Sequence, residues 1–226
     1  MVSEVDICNL ALSHVGDDAT VASINPPEGS TQASHCARFY PIARDFLLDS
    51  HNWGFCTTRA TLNLLTVTPV SGWLYAYAKP SNVLKMLAVF SDISTPNFTP
   101  PPFVPDSYPY AQPVTYSMPN DYAPQEFESE ILADGTQVIY SNTPSAIARY
   151  TQRITDPQMF SPIFTDTLGW LLASYLAGPV IKGEAGQSMA KFCAAMAKAQ
   201  LSLAMTEDAN QRRIVPNQVV PWIVHR

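Results

Sequence analysis

The chain has 226 residues, 46% of them hydrophobic and only 14% charged, with 20 prolines, 9 glycines and a formal net charge of -6. A typical globular chain is about 25% charged and about 5% proline, so disorder throughout is excluded and much of the surface is expected to serve contacts. Phosphates are gripped by clustered Lys and Arg, and 13 basic side chains dispersed among 19 acidic ones argue against tight, sequence-reading nucleic-acid binding.

From Ser3 to Val15, an apolar stripe of Val5, Cys8, Leu12 and Val15 at helical spacing predicts an amphipathic helix. Ser3 with Asp6 forms a capping-box pattern at its start, and Gly16 supplies a left-handed stop. The acids in this first segment stand where a signal peptide carries bases, so synthesis in the cytoplasm is expected. After a loop containing Pro26 and Pro27, Ser30 or Thr31 caps a second predicted helix reaching about His51, with a kink expected at Pro41. Its inward stripe is read as Ala33, Cys36, Ala37, Tyr40, Ala43, Phe46 and Leu47.

From Asn52 the period becomes two. Trp53, Phe55 and Thr57, then Trp73, Tyr75 and Tyr77, then Val83 to Phe90, Glu126 to Ile131, Gln137 to Ser141 and Ala146 to Thr151 are read as antiparallel strands. Residues 91–125 hold nine of the prolines, six aromatics (Phe98, Phe103, Tyr108, Tyr110, Tyr116 and Tyr122) and three charges. They are read as an extended arm or long loop inserted in the β domain, with these aromatics available for contact with another protein surface.

After Thr155 the helical period returns. Phe160, Phe164, Leu168, Leu171 and Tyr175 share a face, and Ile163, Trp170 and Leu172 widen it, so this helix should be central, ending at Pro179 and Gly183. A last, alanine-rich helix from about Glu184 to Asp208 is expected to turn Met189, Phe192, Cys193, Met196 and Leu203 inward. Thr167 to Ile181, the longest charge-free apolar helical run, is shorter than the roughly 20 residues a bilayer crossing needs. The expected fold is therefore α+β. Residues 1–51 and 152–210 form a helical bundle, 52–151 an antiparallel β domain with the 91–125 insertion, and 211–226 an extended tail. In that tail Arg212 and Arg213 precede Ile214, Val215, Val219, Val220, Trp222, Ile223 and Val224, while Pro216 and Pro221 forbid a continuous helix. Such a segment suits strand addition to a partner or an apolar groove, or a strand folded back on its own domain.

Chemistry is sparse. There is no phosphate loop, nucleophile elbow or His-Glu-x-x-His, and the four cysteines, Cys8, Cys36, Cys56 and Cys193, are too far apart for a zinc knuckle and are read as buried thiols. His14 and His51 near helix C-termini suit the dipole. Glu126, Glu128 and Glu130, the one dense acidic group, alternate with apolar residues as on a sheet wetted on one face. No catalytic, cofactor or metal site is expected.

Two stretches carry a more specific likeness: Ile7 to Leu12 followed by Val15 and Gly16, and the series Ala33, Cys36, Tyr40, Ala43, Arg44, Asp45, Leu47, Leu48, His51, Trp53, Phe55 and Arg59. With Tyr75 to Pro80 and the run Arg149, Tyr150, Arg153, Asp156, Phe160, the chain resembles the tail tubular protein A family over most of 1–90 and 126–208. These are the head-to-tail adaptors of short-tailed bacteriophages. Asn82, where an acid is expected, and the long insertion depart from the pattern. The resemblance implies a homo-oligomeric ring of about twelve subunits in the portal-proximal tail of the virion. It further implies portal and tail nozzle proteins as partners, the tail residues 212–224 meeting the portal, non-specific passage of double-stranded DNA, no membrane, no cofactor and no enzyme activity. The alternative is a virion-associated peptidoglycan hydrolase, for which paired carboxylates would be needed.

Overall fold

The structure, a computed structural model, describes residues 2–69, 72–91 and 124–211. It is α+β. The chain divides into a helical unit, built from residues up to Cys56 and from Ile154 onward, and a sheet unit, Thr57–Arg153. The expected junctions at 51/52 and 151/152 thus lie at 56/57 and 153/154.

In the helical unit, α1 (Glu4–Val15) begins as a capping box. Ser3 Oγ accepts from the Asp6 N–H, and the Asp6 carboxylate accepts from the Ser3 N–H, with Gly16 at φ 81° closing the far end. Helix α2 (Thr31–Ser50) is capped by Ser30 and continues through Pro41, which lies on the exposed side where water can satisfy the carbonyl that proline leaves unpaired. Its buried stripe is Ala33, Cys36, Tyr40, Ala43, Arg44, Leu47 and Leu48. Phe46, expected inward, is 57% exposed. At 100° per residue it stands well round the helix from Leu47, whose side is the one that packs.

Helix α3 (Pro162–Ile181) starts at the Ser161 cap and contacts all three other helices, which explains its nearly all-round apolar surface. It runs through Pro179, and the reversal follows at Lys182 and Gly183, both at positive φ. Helix α4 (Gly183–Asn210) then packs back along it. The buried positions of α4 are Gly186, Cys193, Ala197, Ala204 and Asp208, a narrow seam at intervals of 7, 4, 7 and 4 residues. Phe192 and Leu203, expected inward, are 55% and 58% exposed. Small side chains won the interior positions because the helices approach closely. A methyl group on Gly186 would stand 2.9 Å from the Ala177 carbonyl oxygen. Gly186→Ala should therefore lower stability by about 1–3 kcal/mol through overpacking against backbone, despite the ~1 kcal/mol that helix propensity favours alanine. Denaturant unfolding would show this as a lower midpoint, and an unchanged midpoint would contradict it.

The sheet unit contains β1 (Thr57–Thr61), β2 (Tyr75–Ala78), β3 (Val83–Ser91), β4 (Phe127–Ile131), β5 (Gln137–Ser141) and β6 (Ala146–Gln152). They form two three-stranded antiparallel sheets, ordered β1-β6-β3 and β2-β5-β4. Leu62, Tyr77, Val89, Ile139, Ala146, Ala148 and Tyr150 make a shared core between them, joined by Ala60, Met86 and Phe127. The Tyr77 hydroxyl is buried but donates to the Thr143 carbonyl at 2.6 Å. One strand expectation fails at its start. Gly54–Cys56 is a single 3-10 turn and β1 begins only at Thr57, because Trp53 is drawn into the helical core instead of alternating along a strand.

Candidate functional site

The aromatic residues of the insertion (Phe98, Phe103, Tyr108, Tyr110, Tyr116 and Tyr122) and the tail residues Arg212, Arg213, Ile214, Val215, Val219, Val220, Trp222, Ile223 and Val224 lie outside the described residues. What the structure places are the polar members of the motif stretches. Arg44, His51 and Trp53 are held by other groups of the helical unit, whereas Arg59 and Arg149 lie on strands of the sheet unit.

Arg44 is 7% exposed. Its Nε and terminal nitrogen both reach Asp45 Oδ1 at 2.9 Å, another terminal nitrogen lies 4.0 Å from Glu4 of α1, and its guanidinium stands over the Tyr40 ring. His51, the residue just after α2, pairs through Nε2 with Asp208 Oδ2 at 3.0 Å. The other Asp208 oxygen accepts from the Gly54 N–H at 2.6 Å. Trp53, 1% exposed, donates from Nε1 to the Leu47 carbonyl at 2.8 Å and packs edge-on against Phe164. Together these contacts carry the chain off the end of α2, round a tight turn and onto the last turn of α4.

A His–Asp pair beside a cleft invites comparison with a catalytic dyad. The cleft holds about 130 Å³ and is walled by Trp53, Phe55, Phe160, Ser161 and Asp208. In a dyad at work, the second imidazole nitrogen must face a nucleophile. Among the described residues no Ser, Thr or Cys hydrogen-bonds to His51, and the Ser161 hydroxyl caps α3 by accepting from the Phe164 N–H. The arrangement is a brace.

His14 does not act as a charged helix cap. Its ring stacks on Trp170 at 3.7 Å between centroids, its Nε2 is buried without a partner, and burial lowers its pKa against a weaker opposing pull from Asp166. The unfolded chain then binds the proton more readily than the folded one, so the stability His14 supplies is complete above its ordinary pKa of about 6.5 and is lost as pH falls through it. Melting temperature should fall between about pH 7 and pH 5, and His14→Gln should flatten that slope. An equal slope in the variant would assign the effect elsewhere. Cys8 and Cys36, both fully buried, face each other from α1 and α2; the hydrogen bond between the thiols, with burial, pushes the Cys8 pKa up, and the same bond lowers that of Cys36 against the opposing effect of burial.

Glu126, Glu128 and Glu130 are all exposed, the latter two on one face of edge strand β4, where Trp73 donates to Glu128 at 3.2 Å. They stand side by side rather than across a cleft from one another. The basic residues are less dispersed than the sequence suggests. The register of β1 on β6 sets Arg59 directly opposite Arg149. Lys85 of β3 pairs with Thr151, two residues from Arg149 and so on the same face. Alternation against buried Ala148 and Tyr150 turns Arg149 outward, but only strand pairing brings it to Arg59, 90 positions earlier. A scan of protein-family models finds no match to this chain, and a search of curated proteins finds no similar sequence.

Proposed function

We propose that the chain is a structural adaptor of a short-tailed bacteriophage virion. In this reading it forms a ring of about twelve copies between portal and tail nozzle, around a channel through which DNA passes. The observation that carries this reading is how the motif residues are used. Three side chains in the stretch from Arg44 to Trp53 are occupied by structural bonds: Arg44 to Asp45 and Glu4, His51 to Asp208, Trp53 to Leu47. A scaffold protein spends such groups on rigidity, whereas an enzyme leaves at least one facing substrate. The side-by-side exposed glutamates of β4 give a peptidoglycan hydrolase no opposed acid and base. The apolar tail 212–224 and the proline-rich arm supply segments for the portal and for the neighbouring subunit or nozzle.

Imaging particles of the protein mixed with its portal tests the reading. A closed ring of about twelve copies seated on the portal is the expected result. A protein that stays monomeric in the presence of portal, or that cleaves peptidoglycan and loses that activity on Glu128→Gln, would overturn it.

A further inference from the structure

We infer that the sheet unit carries both halves of a self-docking contact, in which the basic face of one copy, Lys85, Arg149 and Arg59, receives the acidic strand Glu126, Glu128 and Glu130 of a second copy. Strands β1, β3 and β6 contain these three basic side chains and not one acid, although the chain as a whole is acidic. All three point away from the core, since Ala60, Met86, Ala148, Val89 and Tyr150 occupy the other face of the sheet.

Arg59 and Arg149 sit directly opposite each other, an arrangement of like charges that destabilises an antiparallel pair unless an anion covers it. Among the described residues no ion pair holds either of them or Lys85, and the one contact of Arg59 is the Phe90 ring at 5.2 Å. Among the described residues no carboxylate covers this face.

The matching anion is on the second sheet. β4 is the outer strand of the order β2-β5-β4, so among the described residues no strand pairs along its outer edge. Its exposed glutamates recur every second residue, about 6.8 Å apart, while the three bases step across strands about 4.8 Å apart with a two-residue offset at Lys85. The long, flexible side chains of the three bases can therefore reach three carboxylates over a similar overall span. The two sets cannot meet within one copy, because the shared core lies between the sheets and the basic face looks outward from it. Two different patches pairing between copies make a heterologous contact, which closes into a ring or runs on as a filament. Exposed charges of this kind decide which faces meet and in what register more than they decide affinity. The contact supplies a subunit junction for the ring proposed above, and it rests on that reading only for closure.

The test uses the full chain and two charge reversals, Arg59→Glu with Arg149→Glu, and Glu128→Lys with Glu130→Lys, followed by sedimentation at about 50 mM and about 500 mM salt. Wild type should assemble beyond a dimer at low salt and loosen at high salt. Each reversed protein alone sets like charge against like and should need at least tenfold higher concentration to assemble. An equimolar mixture of the two restores opposite charges at every junction and should recover assembly. Circular dichroism and melting confirm folding, and if the first reversal unfolds the chain, Lys85→Glu with Arg59→Gln is read instead.

If wild type and both variants assemble equally, this contact is wrong while the ring reading stands. A wild type that remains monomeric alone and with portal removes both. If a duplex oligonucleotide binds wild type but not the Arg59→Glu, Arg149→Glu protein, with assembly unaffected, the face belongs to a DNA backbone and the inference is overturned.

Discussion

Replacing Trp53 by alanine should cost about 3–5 kcal/mol, the range for deleting a large aromatic from a packed core. The indole is 1% exposed and touches His51, Phe55 and Phe164 in tilted or edge-on contacts with centroids 4.9 to 6.0 Å apart. Two losses combine in the variant: the apolar volume, and one of the two donors to the Leu47 carbonyl at the end of α2, which keeps only the Ser50 hydroxyl. A domain of this size has roughly 5–15 kcal/mol of stability to lose, so the variant should be close to unfolding at physiological temperature. Trp53→Phe separates the two contributions by keeping most of the ring and discarding the N–H, and should fall between. Urea unfolding of the three proteins decides the matter. A loss under about 1 kcal/mol for the alanine variant would mean that the turn is held by something other than Trp53.

Asp208→Ala should cost about 2–4 kcal/mol. The carboxylate, in a residue 6% exposed, lies in the last turn of α4, the end where a helix dipole disfavours negative charge by a few tenths to about 1 kcal/mol. It is kept there because it accepts from the Gly54 N–H and pairs with His51. Removing it leaves a backbone donor and an imidazole without their acceptor, and stranded polar groups account for most of the penalty. Asp208→Asn still offers an oxygen to Gly54 and an amide to the His51 ring, and should recover at least half of the loss. In a double-mutant cycle with His51→Ala, the coupling energy should exceed about 0.5 kcal/mol. Strict additivity would show that the two side chains are neighbours without being partners.

Both residues show where reading the chain stops. By sequence His51 is a helix-end cation and Asp208 only the end of the last helix. Their pairing spans 157 positions, and no local pattern announces it. Trp53 began an alternating run that matched a strand template, and the structure spends it on the helical core. Phe46, Phe192 and Leu203 were misplaced for a related reason. Apolar content alone does not set direction: the buried stripe of α2 passes through Tyr40, Ala43, Arg44 and Leu47, and the seam of α4 is filled by the small Cys193, Ala197 and Ala204.

What the sequence determined by itself are the features whose causes lie within a few residues. The Ser3–Asp6 capping box, the Gly16 stop, the Ser30 cap, the α+β class and the existence of the late strands all follow from side chains reaching backbone groups three or four positions away, or from the period of burial. The tertiary structure alone decided which strands pair and which helix faces touch, and hence that Arg59 and Arg149 share one face while Glu128 and Glu130 stand on an outer strand of the second sheet. The reason is physical. Local patterning tells each element which side to bury but leaves the choice of partner nearly degenerate, and that choice is made by packing that acts on the whole chain at once: close approach at Gly186 and the enclosure of Trp53.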